Sequence, residues 1–167
     1  MIDTIRRFPT LFGFFLFFSA GSFLAIQGYG ITYQPSRSMP VGWYVTYPVY
    51  HPLQKGDTIL FRPTSSVLHY MMQRGWIGAH TAMMKEIFAV PGDTVCIHQG
   101  MLYINGKSTT SVLTEYAPGK PLPQVLLCQH LPSGKYMAMS TYNAHSFDSR
   151  YFGPIDQESI IGKVSKL

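Results

Sequence analysis

The sequence predicts a mainly β protein with one membrane-spanning helix at its N-terminus. Residues 8–26 form an almost wholly apolar run without a charge. After it, short runs of β-branched and aromatic residues are separated by Pro and Gly, which is typical of strands joined by turns. A single later segment, residues 64–74, has apolar residues at helical spacing. We therefore expect an anchor in residues 1–28 and a β-rich exported domain with one short helix in residues 29–167.

Length and charge limit the possible functions. The 167 residues suffice for a membrane span and one domain with a real hydrophobic core. The formal net charge is +5, but the Lys and Arg residues are scattered along the chain. A nucleic-acid-binding protein needs a clustered basic face, so no nucleic acid partner is expected. Mild basicity is compatible with work beside anionic membrane lipid.

The N-terminal run "FPTLFGFFLFFSAGSFLAI" is long enough to span a membrane. As a helix rising about 1.5 Å per residue, it comes close to the roughly 30 Å hydrocarbon core. Arg6 and Arg7 precede it, which by the positive-inside rule keeps the N-terminus cytoplasmic. The prediction is a single-pass protein of the cytoplasmic (inner) membrane, with its domain on the periplasmic, outer face.

Two alternatives remain for this run. Small residues at Ala20-Gly21-Ser22 could mark the cleavage site of a secretory signal. The run could also be a buried core helix. The anchor and the signal both place the domain in an exported compartment.

The later elements follow in order. Residues 27–34 read as a Gly-containing linker that becomes extended, and residues 64–74 as a helix capped by Thr64 or Ser65. Asn105-Gly106 is a strong tight-turn signal, whereas the polar, Pro-rich residues 108–124 suggest a surface loop. Strands are predicted at residues 43–49, 58–61, 83–90, 95–97, 101–104, 125–127, 136–139 and 160–164.

The segment "PSRSMPVGWY" offers a candidate nucleophile, Ser38. A serine hydroxyl needs a base to hold its proton. His145 with Asp148 could complete a Ser-His-Asp set. The other candidate base is Lys85, in the apolar strand "MMKEIFAV".

Alternation along a strand would turn Lys85 to the same face as Met83, Ile87 and Ala89. Burial on such a face would favour the neutral amine that a general base requires. The competing interpretation is that Lys85 faces solvent from an edge strand.

Cys96 and Cys128 are the only cysteines. In an exported domain a disulfide between them is plausible. Each begins a Cys-x-His, "CIH" and "CQH", so a zinc site and two free thiols are the alternatives. That spacing is a weak metal signal, and we expect neither a metal nor another cofactor.

Four motifs in order, "PSRSMPVGWY", "KGDTILF", "MKEIFAVPGDTV" and "SFDSRYFGPI", follow the N-terminal apolar run. Together they resemble the serine–lysine signal peptidases over nearly the whole chain. The Ser-Met-Pro-x-Gly-x-Tyr form, the "RGW" before the lysine strand and the "SFDSRYFGPI" ending look most similar to the conjugative-transfer (TraF-type) branch. That branch processes pilin precursors of type IV secretion systems. The resemblance implies a β-rich fold shared with LexA-like self-cleaving proteins.

The resemblance also implies catalytic roles. Ser38 matches the nucleophile and Lys85 the general base. Ser36 matches the hydroxyl that, with the Ser38 backbone N–H, forms the oxyanion hole.

Supporting roles are implied for further residues. Ser146 matches the hydroxyl that orients the lysine amine. Asp148 and Arg150 match an ion pair that supports the site. Met39 and Pro40 match residues that shape the substrate groove.

Two departures concern the class of substrate. General leader peptidases commonly follow the lysine with a basic residue, whereas Glu86 stands here. Their lead "GDNRDNS" into the closing motif is replaced by Ser140–Ser146, "STYNAHS". The resemblance as a whole implies a membrane-anchored serine endopeptidase that cuts exported precursors after small residues. Hydrolysis and cyclisation of the product both remain open. The alternatives are a general type I leader peptidase and a catalytically inactive, anchored docking module of a secretion system.

Overall fold

The computed structural model describes residues 28–125 and 127–167, without the side chain of Leu127. The mainly β prediction is confirmed for these residues. The predicted anchor, residues 1–28, lies outside them except for Gly28, and no helix among the described residues is long and apolar enough to cross a membrane. The strands are β1 (Gly30–Gln34), β2 (Gly42–Tyr47), β3 (Thr58–Phe61), β4 (Met83–Ala89), β5 (Thr94–His98), β6 (Met101–Ile104), β7 (Lys107–Ser111), β8 (Glu115–Ala117), β9 (Lys120–Pro121), β10 (Leu127–His130), β11 (Lys135–Met139), β12 (Ile155–Asp156) and β13 (Ile160–Lys166).

The strands form antiparallel sheets. Seven make one sheet in the order β1-β2-β13-β3-β4-β11-β12, and four make a second in the order β10-β5-β6-β7. A small sheet pairs β8 with β9. Strand β4 therefore lies between β3 and β11, inside the large sheet, and not at its edge.

The region between residues 107 and 121 corrects the sequence prediction. Residues 108–124 were expected to form a surface loop, but β7, β8 and β9 lie there. Asn105 and Gly106 have φ values of +52° and +76°, the conformation of a two-residue hairpin turn. This turn brings the polar strand β7 back against β6, so pairing, and not hydrophobic alternation, makes it a strand.

Among the described residues there are two α-helices, whereas one short helix was predicted for this part of the chain. Helix α1 (Ser65–Gln73) begins after Thr64, whose hydroxyl accepts a hydrogen bond from the Val67 N–H. The second, α2 (Ser149–Phe152), has four residues and follows Asp148. A helix of one turn is too short to show hydrophobic periodicity, which is why the sequence does not reveal it.

Cys96 and Cys128 are joined by a disulfide. They are directly opposite each other on β5 and β10, so the pairing of these strands brings the two side chains together. The bond uses both thiols and leaves no cysteine for a zinc site. Within the described residues no group of His, Cys, Asp and Glu could hold a metal ion.

Candidate active site

A cleft of about 690 Å³ lies beside the large sheet. One wall is the end of β1 with the turn that follows it, and another is the start of β4. The segment before α2 and the residues after α1 close it. All three serines of the predicted site line it together with the candidate base: Ser36, Ser38, Ser146 and Lys85.

The two serines of "PSRSM" lie in the turn after β1. Ser36 Oγ is 2.9 Å from Ser38 Oγ, a hydrogen-bonding distance. The buried side chain of Gln34 reaches both of them, with Nε2 at 2.7 Å from Ser36 Oγ and 3.3 Å from Ser38 Oγ. A candidate nucleophile and a candidate oxyanion donor are therefore in direct contact.

The backbone of this turn is held from a distant part of the chain. The Ser140 hydroxyl donates a hydrogen bond to the Ser38 carbonyl, across 102 positions of sequence. The Ser140 N–H in turn donates to Asp148 Oδ2 at 3.2 Å. The Ser38 turn is thus tied to the segment that carries the predicted ion pair.

Lys85 is 3% exposed, on strand β4 inside the large sheet. Its strand neighbours Met83 and Ile87 are buried too, and Ile59 of β3 is paired with it. The solvent-facing edge position considered above is not what the structure has. Burial lowers the pKa of the Lys85 amine to about 8, while nearby Asp148 raises it and Arg150 lowers it.

Asp148 and Arg150 form a buried ion pair with exposures of 0% and 2%. Arg150 Nε donates to Asp148 Oδ1 at 2.8 Å, and Nη2 donates to Oδ2 at 2.9 Å. The same Nη2 donates to the Ser146 carbonyl at 3.1 Å. Although burial alone would lower the pKa of Arg150, its bond to Asp148 raises it. The two side chains are therefore both charged, and Arg150 also holds the backbone at Ser146 beside the cleft.

Ser146 has a buried hydroxyl, 3% exposed, that contacts no hydrogen-bond partner among the described residues. A buried polar group without a partner costs about 1–3 kcal/mol, so such groups are rare and are often functional. The cleft lined by Ser146 is also the cleft lined by Lys85. The structure does not join the two by a hydrogen bond, and the orienting role of Ser146 stays a prediction.

The histidine alternative has weak geometric support. His145 lines the cleft, but it is exposed. Both oxygens of Asp148 accept hydrogen bonds from Arg150. No hydrogen bond between the His145 ring and Asp148 occurs among the described residues. The acid of the proposed Ser-His-Asp set is thus engaged elsewhere.

Met39 and Pro40 pack against the core beside the cleft and do not line it. Met39 is 3% exposed and packs with Tyr44 and Met84 in a small core cluster. The Pro40 carbonyl accepts a hydrogen bond from the Tyr44 hydroxyl at 2.7 Å. Neither residue lines the cleft. They pack beneath the turn that carries Ser38, and their part in shaping the substrate groove stays a prediction.

Two polar residues of the site were missed by sequence reasoning. Gln34 was assigned to an extended linker. A polar residue at the end of an extended segment, directly before "PSRSM", was a signal that could have indicated a contact with the serines. Ser140 begins the segment that replaces "GDNRDNS", and nothing local marks it. Its contact with Ser38 depends on the fold.

One end of the cleft is aromatic. Trp76 and Tyr116 are in edge-to-face contact, with ring centroids 4.9 Å apart, and Phe147 stacks on Tyr70 at 5.1 Å. Trp76, Tyr116 and Phe147 all line the cleft. These rings give the cleft an apolar surface in addition to its polar residues.

A family model and several known proteins are similar to this chain. A family model described as "Signal peptidase, peptidase S26" matches residues 2–167. The plasmid transfer protein TraF of Escherichia coli is 33% identical over 153 residues, covering 84% of this chain and 85% of that protein. Signal peptidase I V of Bacillus subtilis (strain 168) is 29% identical over 96 residues, 52% of this chain and 57% of that protein. The solved structure of a signal peptidase I from Enterococcus faecalis V583 aligns with a TM-score of 0.42 at 24% identity, covering 70% of this chain and 100% of that one.

Proposed function

We propose that this chain, which belongs to the signal peptidase family S26 of serine proteases, is a membrane-anchored endopeptidase. Its catalytic dyad is Ser38 and Lys85. Its substrates are exported precursors cut after small residues, above all the pilin precursor of a conjugative (type IV secretion) system. The observation that carries the proposal is the cleft that Ser38 shares with Lys85, whose pKa is lowered to about 8 by burial. The apolar residues 8–26 supply the anchor, which keeps the domain at the outer face of the cytoplasmic membrane.

In the first half of the reaction, Ser38 Oγ attacks the scissile carbonyl carbon while Lys85 Nζ takes the hydroxyl proton. The negative charge that develops on the carbonyl oxygen is stabilised by the Ser36 hydroxyl and the Ser38 backbone N–H. Removing one such donor typically costs about 10²- to 10³-fold in kcat. The ammonium of Lys85 then returns its proton to the leaving amine, and an ester between substrate and Ser38 remains.

In the second half, Lys85 takes a proton from the group that attacks this ester and gives it to Ser38 Oγ as the ester bond breaks. Water as the attacking group gives hydrolysis, whereas an amine of the substrate gives a cyclic product. Exclusion of water by a bound peptide decides between them, because both attack the same carbon. The products differ by the mass of one water.

The substrate assignment is supported by the TraF relatives, which are named for plasmid transfer and match at 33% and 32% identity. It is tested by incubating the detergent-solubilised full chain with a pilin precursor of such a system, and in parallel with a general secretory preprotein. We expect faster processing of the pilin precursor, with the product identified by intact mass. Equal or faster cleavage of the secretory preprotein would contradict the pilin assignment.

A general leader peptidase is the second candidate function. It is favoured by the match to signal peptidase I V of Bacillus subtilis (strain 168) at 29% identity. Complementation separates the two functions in cells. A general leader peptidase would restore growth to a strain depleted of its own enzyme, and a dedicated pilin peptidase would not.

The lowered pKa of Lys85 predicts the pH dependence of the reaction. The active amine is neutral, so the rate rises with pH while the amine deprotonates and levels off above its pKa of about 8. About one-tenth of the amine is neutral one pH unit below the pKa and one half at the pKa, so kcat/KM should rise about fivefold over that unit and about tenfold up to the plateau. The measurement uses a peptide without titrating side chains, between pH 6 and pH 10. A profile that is flat over this range would contradict a lysine base.

A further inference from the structure

Gln34, the last residue of β1, makes an unusual set of contacts for a side chain that the mechanism above does not use. It is 9% exposed. Its Nε2 lies 2.7 Å from Ser36 Oγ, 3.0 Å from the Ser36 carbonyl oxygen and 3.3 Å from Ser38 Oγ. A carbonyl oxygen can only accept a hydrogen bond, so the amide must present its NH₂ group to this turn. The orientation of the carboxamide is therefore fixed by the backbone of Ser36.

This orientation restricts the hydroxyl protons. Because Nε2 only donates, Ser36 Oγ accepts its bond and cannot give its own proton back to the amide. The Ser36 hydroxyl can therefore donate its hydrogen bond to Ser38 Oγ, which is 2.9 Å away, or to the oxyanion of a bound substrate. Ser38 Oγ also has the amide N–H on one side, so its own proton points elsewhere.

We propose that Gln34 is a positioning residue that sets the direction of the hydrogen bonds in the serine turn. By donating to Ser36, it makes Ser36 a donor to the oxyanion. By approaching Ser38 as a donor, it leaves the Ser38 proton free to pass to Lys85. Donation into a hydroxyl oxygen also strengthens that hydroxyl as a donor, because linked hydrogen bonds polarise one another. The inference rests on the proposed function of Ser36, Ser38 and Lys85.

The test compares two substitutions of nearly equal size. Gln34→Met removes the donor and adds no charge, and kcat should fall about 2- to 13-fold, the effect of one ordinary hydrogen bond. Gln34→Glu replaces the donor by a carboxylate that only accepts. The Ser36 hydroxyl should then donate its hydrogen bond to this carboxylate and no longer to the oxyanion. The kcat of this variant should fall about 10²- to 10³-fold, as for loss of an oxyanion donor. KM should stay within about twofold in both variants, since the positioning acts on the transition state.

A second background separates direction from charge. In Ser36→Ala there is no Ser36 proton to misdirect, so Gln34→Glu should then cost less than about tenfold. The exposed strand residue Gln129 provides the control, since Gln129→Glu adds the same charge away from the cleft. That variant should keep the kcat of the unmodified protein. Thermal unfolding of every variant checks that the fold is retained.

Two results would overturn the inference. One is unchanged kcat in Gln34→Glu, and the other is an equal loss from Gln34→Glu with and without Ser36. Failure of the proposed function looks different, because Ser38→Ala would then keep its activity. If Ser38→Ala is inactive while Gln34→Glu is fully active, the dyad stands and only the role of Gln34 is wrong.

Discussion

Replacing Lys85 with methionine is expected to lower kcat/KM about 10²- to 10⁴-fold, the usual contribution of a general base. Methionine keeps an unbranched apolar stem of similar length but has no amine to take the Ser38 proton. Its neighbours on the same face of β4, Met83 and Ile87, are buried and apolar, so the stem of the new side chain can pack as the lysine stem does. The measurement is kcat/KM on a precursor peptide above pH 9, where the unmodified amine is neutral.

Three further variants assign this loss to the amine. Lys85→Arg keeps a positive charge that does not deprotonate, and it should be as inactive as Lys85→Met. Lys107→Met, on an exposed position of β7, should retain full activity. His145→Ala should change kcat/KM by less than about tenfold, because a residue outside the proton transfer contributes little to it. A functional Lys85→Met enzyme together with an inactive His145→Ala enzyme would support the Ser-His-Asp set and contradict the proposed dyad.

The sequence predicted the strand that carries Lys85 because that strand is buried and locally distinctive. Strands β3 and β6 have the predicted bounds as well, each being short, apolar and followed by a turn or proline. Burial of Lys85 could be inferred from alternation with Met83 and Ile87, since a strand turns alternate residues to one face. These features depend on nearby residues alone.

The missed features depend on contacts between distant residues. Strand β7, "KSTTS", has no apolar face, and it forms because the Asn105-Gly106 turn returns it to β6. The Ser140 hydroxyl finds the Ser38 carbonyl only after the sheet has formed. Met39 packs into a small core cluster with Tyr44 and Met84, a contact that its place in the motif does not reveal. Motif matching thus proposed the site residues, and the fold determined which of them line the cleft.

Breaking the Asp148–Arg150 pair is expected to cost about 3–5 kcal/mol in the free energy of unfolding, the usual effect of removing one partner from a buried pair. Arg150→Met leaves the carboxylate of Asp148, which is fully buried, without its cation. It also removes the hydrogen bond to the Ser146 carbonyl. Asp148→Asn leaves a guanidinium that is only 2% exposed without its anion. Urea unfolding of the detergent-solubilised chain measures both losses.

A surface pair is the matched control for this prediction. Lys135 and Asp156 also form an ion pair, but their side chains are 39% and 48% exposed. Lys135→Met should therefore cost no more than about 1 kcal/mol, the usual limit for an exposed pair. The double variant Asp148→Asn/Arg150→Met should be less destabilised than the sum of its two single variants, since no unpaired charge remains buried. Losses below about 1 kcal/mol in both single variants would show that the pair is no more important than the surface pair.

The same variants also distinguish two roles of the buried pair, which are stabilising the fold and setting the pKa of Lys85. Asp148 raises the pKa of Lys85 and Arg150 lowers it, so the two charges oppose each other at the amine. Arg150→Met should therefore shift the rise of activity to higher pH, and Asp148→Asn should shift it to lower pH, although both variants lose stability. Partial unfolding would reduce activity in both without moving their profiles in opposite directions. Opposite shifts would mean that the buried pair not only holds the segment beside the cleft but also balances the charge that acts on Lys85.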